Sequence, residues 1–383
     1  MRVFVIAGEA SGDRLGAALM AGLKSMTEVE FTGIGGPMME TEGMESLFPM
    51  DDLSVHGLIE VLKRYPHLRR RLNQTVEAVL EASPDVLITI DSPDFCLRVA
   101  RQVRARSAVR TVHYVAPSVW AWRPGRADRM AAYIDHVLAL LPFEPPYMEA
   151  AGMACDFVGH PVVSEPQATG EEAAAFRARH GIDDAPLLMV LPGSRRSEVA
   201  QLAPLFGAAL REVCRRRPTL RVVVPATAAR AAQVRALAAD WPGRPVIVAP
   251  DEMSYGAYLA EKRAAFGAAD RALAASGTVS LELAAAGIPM LIAYDVNRVS
   301  REILRRILRV DTLTLVNLVT DSRVVPELLG ADCRPDRIAP ALIDLLDDPG
   351  DQPAAMRRTM TLLGEGGEAP GLRAARAVLD RMG

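Results

Sequence analysis

What most narrows the fold of this chain is a repeated alternation of a short apolar run, a turn bearing glycine or small polar residues, and a helix-spaced apolar stripe. It starts with RVFVIA (2–7), the turn GEASGD (8–13) and a stripe of Leu15, Leu19, Gly22/Leu23 and Met26. It continues through EFTGIGG (30–36), VLITI (86–90), TVHYV (111–115), HVLALL (136–141) and CDFVGHP (155–161). Apolar strands alternating with amphipathic helices predict parallel pairing, with helices on both faces of the sheet. Residues 162–186 (VVSEPQATGEEAAAFRARHGIDDAP) change the texture, being polar with little strand character. The alternation then restarts at LLMVL (187–191), followed by LRVVVPAT, PVIVAP, RALAAS and PMLIAY.

The pattern predicts an α/β chain of two Rossmann-like, doubly wound parallel-sheet domains facing a central cleft. The first spans 1–161, a linker and lead-in helix 162–186, and the second 187–365. A last helix in 366–383 packs back on the first domain or on a partner. A length of 383 residues suits two cores better than one. A formal net charge of −3 argues against wholesale attraction to nucleic acid. The cysteines, Cys96, Cys155, Cys214 and Cys333, form no CxxC pair and read as buried thiols of a reducing cytoplasm. The N-terminus lacks a secretory apolar region, and no uncharged run approaches the roughly 20 residues of a membrane span.

The run VLITI ends abruptly on Asp91, with Asp94 after Ser-Pro. A carboxylate closing a strand that reads as buried is a helix cap, a solvated strand end, or a working group at the mouth of a cleft. In doubly wound sheets ligands bind beyond the carboxyl ends of the strands, where Asp91 stands.

The second domain carries LPGSRRSEV (191–199), a strand, a Pro-Gly-Ser turn and a helix start bearing Arg195 and Arg196. Cations are unfavourable at that end of a helix unless an anion arrives. With Ser194 they suit phosphate recognition; a cap by Ser194 or Ser197 with solvated arginines is the plainer reading. AASGTVSLELAAAG (274–287) repeats the arrangement. Ser276, Gly277 and Thr278 form a nest for an oxyanion, and Glu282, one turn in, suits a ribose diol. In the first domain GEASGD is neither a dinucleotide fingerprint nor a P-loop, so Ser11 and Gly12 are weaker candidates and Asp13 reads as a first-turn acid. In YVAPSVWAWRPGR (114–126), Trp120 and Trp122 suit packing, and His113 and His160 stand at strand ends. The segment LSVHGLIEVLKRYPHLRRR (53–71) sets Leu58, Ile59 and Leu62 beside Arg69, Arg70 and Arg71, a surface fit for anionic lipid or a core helix with a solvated end. Pro66 predicts two short helices there.

Taken in order, AGEASGDRLGA, GIGGPMM, LSVHGLIEVL, IDSPDF, HYVAPSVWAWRPGR, LPFE, FVGHP, LPGSRRSEV, ASGTVSLELAAAGIPM and LVNLV closely resemble the lipid-A-disaccharide synthase family. The resemblance implies a GT-B fold and an inverting transfer joining UDP-2,3-diacylglucosamine to 2,3-diacylglucosamine 1-phosphate, with release of UDP. It implies an essential acid at Asp91, with Arg195, Glu282 and Asn317 as the matching site residues. It implies a peripheral protein at the inner face of the cytoplasmic membrane, with a homodimer left open. His56 stands where relatives often carry methionine. On this reading Asp91 is the base. Arg195 and the 276–278 loop stabilise the diphosphate, and Glu282 holds the ribose. No cofactor or metal is expected, since no DxD-type pair lies in the donor loops. The rival readings are another UDP-sugar enzyme, a peptidoglycan-type UDP-GlcNAc transferase or a UDP-GlcNAc 2-epimerase, and a non-catalytic sugar-nucleotide binder.

Overall fold

The computed structural model describes residues 1–53, 58–123, 125–250, 253–296, 301–302 and 307–382, and for 58–63 the backbone alone. The chain forms two compact units, Met1–Ser164 with Leu363–Gly383, and Glu165–Leu362.

The first unit holds a six-stranded sheet built from β1 (Arg2–Ala7), β2 (Glu30–Ile34), β3 (Val86–Ile90), β4 (Arg110–Tyr114), β5 (His136–Ala139) and β6 (Ala154–Phe157). Every pairing is parallel, in the order β2-β1-β3-β4-β5-β6. Strand alternation assigns the layers. Val3, Val5 and Ala7 pack with Leu15, Leu19 and Leu23 of the Ala10–Met26 helix and with Ala374, Ala375 and Val378. Phe4 and Ile6 face the opposite layer, with Val76, Val79, Val99 and Val103. Each such fully buried side chain contributes about 1.5–3 kcal/mol relative to exposure. The two faces explain why VLITI is buried at all five positions.

The last helix, Pro370–Asp380, closes this core by crossing Ala10–Met26 closely. A Cβ at Gly22 would fall 2.8 Å from the Gly371 carbonyl oxygen, and one at Gly371 would fall 2.6 Å from that of Ala18. Only glycine permits that approach.

The second unit repeats the architecture with β7 (Leu187–Leu191), β8 (Arg221–Pro225), β9 (Val246–Val248), β10 (Arg271–Ala274), β11 (Met290–Tyr294) and β12 (Glu327–Leu329). Its order is β12-β11-β10-β7-β8-β9, again wholly parallel.

Two expectations are corrected. The stretch 162–186, expected as a linker and lead-in helix, does hold that helix, Gly170–Arg179, but little of it links the units. From Glu165 it belongs to the second unit, because Phe176 of the Gly170–Arg179 helix is fully buried and Arg177 donates to the Ala268 carbonyl oxygen at 3.0 and 2.6 Å. The break at Pro66 does not occur: one helix runs Leu58–Ala82 with the proline inside it. Proline deletes a single i→i−4 bond, and the later turns of this helix are anchored by buried Thr75, Val76 and Val79. The helix after Pro93 runs to Arg104, with Ala105 as its cap.

Candidate active site

Each sheet reverses its winding at one point, and Asp91, the 8–13 turn, the 194–195 turn and the 276–278 loop follow the strands that meet there. In the first unit the reversal lies between β1 and β3, whose last residues, Ala7 and Ile90, pair directly. The next residues along the two strands are the 8–13 turn and Asp91. A Cβ at Gly8 would fall 2.6 Å from Ser92 Oγ, and one at Gly12 would lie 3.6 Å from the Ile90 carbonyl oxygen. The glycines therefore let the two loops close on one another. Asp91 and Ser92 both have left-handed backbones, with φ of 48° and 40°. Two such non-glycine residues in succession store strain of a kind concentrated at functional sites. Val115, at the end of β4, adds a third at φ 82°.

The Asp91 backbone N–H donates to the Tyr114 carbonyl oxygen at 2.9 Å, which prolongs the sheet by one residue and fixes the side chain's root. The strand end is not bare, since Asp91 is half-buried. Burial pushes its carboxyl above the ordinary carboxylate range, and the Ser92 backbone pulls it partly back. Such a group accepts a proton more readily than a solvated aspartate and still ionises, which suits a general base. Beside it Ser11 is exposed. Asp13 is instead structural: its buried carboxylate accepts from the Gly36, Met38 and Met39 N–H groups at 2.9, 3.0 and 3.0 Å, capping the Pro37–Thr41 helix.

In the second unit the reversal lies between β7 and β10, where Leu191 pairs with Ala274. This brings the turn of Ser194 and Arg195 to the same end of the sheet as Ser276, Gly277 and Thr278, with Ser194 and Ser276 82 positions apart in the chain. Neither Ser194 nor Ser197 caps the Arg196–Arg216 helix by its side chain. Glu198 does the work. Its Oε2 accepts from the Ser194 and Arg195 N–H groups at 3.2 and 3.1 Å, and its Oε1 meets the Arg195 guanidinium at 2.9 Å and the Tyr294 hydroxyl at 3.2 Å. Gly193, at φ 111°, makes room, since a Cβ there would fall 2.6 Å from that of Glu198. The anion that the two arginines require at a helix N-terminus is thus partly internal, while the Arg195 side chain stays 75% exposed. An acid three residues past the cap reaches back to the cap N–H as in half of a capping box, and an arginine cap, having no acceptor, cannot supply the other half.

Gly277 and Thr278 are exposed, with open space where a Gly277 Cβ would lie. Glu282 is held by Lys262, whose Nζ donates to Oε2 at 2.7 Å, leaving Oε1 available for a further donor. Asn317 is corrected. It is fully buried, its Nδ2 donates to the Val325 carbonyl oxygen at 2.9 Å and to Thr312 Oγ1 at 3.2 Å, and its Oδ1 accepts from the Val325 N–H at 3.0 Å. The amide pins 312–325 in shape and has no donor left for a ligand.

Around the first crevice burial governs the remaining titratable groups. His113 is fully buried with Nδ1 2.8 Å from Thr89 Oγ1, and desolvation, aided by Arg126, lowers it to about 3. His160 is lowered to about 4 by burial and by Arg14, and its Nδ1 accepts from Val162 N–H. Both are neutral at pH 7. Trp120 packs edge-on to Phe143 and donates its indole N–H to Glu144 at 3.3 Å. Glu144 also accepts from Leu141 N–H at 3.0 Å, and burial raises it to about 7.

Of the lipid-facing candidates, the Leu58, Ile59 and Leu62 side chains and His56 lie outside the described residues. Arg69 and Arg70 are exposed. Arg71 is not free for lipid: it is bound to Asp52 through Nε at 2.8 Å and stacks 4.4 Å over the Phe48 ring. Among the described residues no helix is long and apolar enough to cross a membrane.

The comparisons with known proteins agree along the whole chain. Residues 3–369 match the family model described as lipid-A-disaccharide synthetase. The lipid-A-disaccharide synthase of Ruegeria pomeroyi is 62% identical over 383 residues, covering 100% of this chain and 96% of the relative. That of Rhodospirillum centenum is 50% identical, covering 99% and 94%. Among solved structures, UDP-GlcNAc 2-epimerase from Neisseria meningitidis superposes with a TM-score of 0.67 at 12% identity, covering 100% of this chain and 99% of that one. The calicheamicin glycosyltransferase CalG4 does so with a TM-score of 0.56 at 16% identity, covering 99% and 98%. At these identities the structures establish the fold, which is GT-B. The full-length match, with the acid of IDSPDF and the PGSR and SGT loops at the two reversal points, makes this chain a member of the lipid-A-disaccharide synthase family of glycosyltransferases.

Proposed function

We propose that the chain transfers 2,3-diacylglucosamine from UDP to the 6-hydroxyl of 2,3-diacylglucosamine 1-phosphate, forming a β-1,6 bond with inversion and releasing UDP. Asp91 takes the proton of the acceptor hydroxyl as that oxygen bonds to the anomeric carbon. The bond from that carbon to the UDP oxygen breaks, and the diphosphate leaves with the electron pair. Arg195 and the N–H groups of 276–278 offset the charge that develops there. Glu282 takes the ribose through Oε1. In the resting state Glu198 occupies the Arg195 guanidinium, so the diphosphate competes with an internal anion and Arg195 is kept aligned meanwhile. The half-buried carboxylate at the first reversal point carries this reading, in a chain whose relatives are named for the synthase throughout. The epimerase reading and the binder reading have no comparable support, because solved UDP-GlcNAc 2-epimerases share the fold at 12% and 14% identity.

Incubating the purified protein with both acylated substrates tests the proposal. UDP should appear only when both are present; UDP formation without the acceptor, or interconversion of UDP-GlcNAc, would sink it.

The acylated substrates require access to a lipid surface. The reading places the protein peripherally on the inner face of the cytoplasmic membrane, with Arg69 and Arg70 meeting anionic headgroups. Arg69→Glu with Arg70→Glu should weaken flotation with phosphatidylglycerol vesicles, and unchanged flotation would remove that surface from the scheme.

A further inference from the structure

The first unit carries a charged hollow outside the crevice described above. Its volume is about 200 Å3, several times the roughly 30 Å3 share of one water in the liquid. Arg98 and Arg101 line it from the Pro93–Arg104 helix, and Arg123, Arg126 and Arg129 line it from the segment that follows the tryptophans. The one acid on its wall is Asp94, which is 95% exposed and 3.5 Å from Arg126. Five guanidiniums against one carboxylate give the wall a formal charge of +4, in a chain whose total is −3.

Pairs of like charge three residues apart, Arg98 with Arg101 and Arg126 with Arg129, disfavour their own helices. Elsewhere the same region pairs its arginines, Arg104 with Asp135 and Arg106 with Glu77. Arg98, Arg101 and Arg129 have no ion pair or side-chain hydrogen bond among the described residues. Arg123 is held 4.3 Å over the Trp122 ring with a left-handed backbone, φ 51°. A group of guanidinium forks, three of them unpaired among the described residues, is what a phosphate dianion binds bidentately, and the field of such a wall concentrates anions.

We infer that this hollow seats a phosphomonoester, the 1-phosphate of the sugar acceptor. The inference rests on the proposed transfer reaction and names the part of the first unit that orients its acceptor. Pro93 and Asp94 on the wall follow Asp91 by two and three residues, so the base and the start of the hollow are separated by about 7 Å of chain at most. One pyranose ring spans a comparable distance between its anomeric phosphate and its 6-hydroxyl. A phosphate held by the arginines at the end of the hollow nearest Pro93 would present the hydroxyl toward the carboxylate.

The test is the double substitution Arg98→Gln with Arg101→Gln in the full chain. Both side chains are exposed, so the melting temperature should stay within about 2 °C of the parent. The KM for the acylated sugar 1-phosphate and the Kd for inorganic phosphate by titration calorimetry should each rise about tenfold or more, with the KM for the UDP-sugar unchanged. Arg98→Lys with Arg101→Lys should recover part of the loss. Unchanged acceptor KM and phosphate affinity would overturn the inference. Weakened flotation with phosphatidylglycerol vesicles at unchanged acceptor KM would overturn it too, by assigning the arginines to lipid headgroups. If the parent protein releases no UDP at all, the transfer reading fails on its own, and the phosphate titration still decides whether the hollow binds the anion.

Discussion

Both sheets reverse their winding beside the first strand of their unit, yet the two crevices are armed in opposite ways. Past β3 stands a desolvated carboxylate on a strained, tightly packed loop. Past β7 and β10 stand exposed glycine and hydroxyl loops, a helix start, and a guanidinium held by Glu198. The scaffold supplies the place, and four or five loop residues supply the chemistry. A crevice that must take a proton benefits from burial, which raises the carboxyl. One that must receive a diphosphate benefits from exposed donors already aligned.

The sharpest way to break this contrast is to remove the acid alone. Asp91→Asn should lower turnover by about 10²–10⁴-fold. UDP affinity, which the proposed reading assigns to the other unit, should not move; joint loss of both would contradict that assignment. The wild-type rate should fall as pH drops through the Asp91 pKa, because the base must be ionised. That limb should lie above the ordinary aspartate value of 3.8, since burial raises the group. A limb below 3.8 would contradict the assignment.

Arg195→Ala comes next, with an expected loss of about 10²–10³-fold in turnover, the scale of one transition-state charge donor. An unchanged rate would leave the second crevice without its cation.

A smaller effect concerns the frame of the first crevice. Glu144 has a folded pKa raised from 4.5 to about 7, so the folded state holds a proton that the unfolded state releases. Its contribution to stability is therefore greatest below pH 4.5 and declines as pH rises toward 7, by about 3 kcal/mol in all. Melting temperatures across that window should fall more steeply in the parent than in Glu144→Gln; parallel slopes would refute the buried acid.

Smallest of all is the Lys262–Glu282 pair, each side chain about a third exposed. A double-mutant cycle should give a coupling of about 0.2–1 kcal/mol. UDP affinity should drop in Glu282→Gln far more than in Lys262→Met if the acid serves the ribose and the lysine only holds it.

The strands were legible because parallel sheets buried on both faces demand continuous apolar runs, and VLITI and LLMVL match β3 and β7 residue for residue. The loops were legible as chemistry, since glycine, hydroxyl and charge coincided at strand ends. What escaped was whatever depends on contacts distant in the chain or on competing partners. Arg71 reads as a surface cation until Asp52 and Phe48 are seen beneath it. Asn317 reads as a contact residue until both sides of its amide are found committed to Val325. Pro66 was overruled by a helix anchored further along. Glu198 alone carried an unread local signal.

The close glycine crossing of the last helix on Ala10–Met26 has a consequence for biogenesis. The first unit borrows its final piece, Leu363–Gly383, from beyond the second unit's sequence, so a ribosome finishes the second unit's sequence before the first can close. Completion then runs against the order of synthesis, and the nascent first sheet waits with the flank of Gly22 uncovered until Leu363–Gly383 emerges.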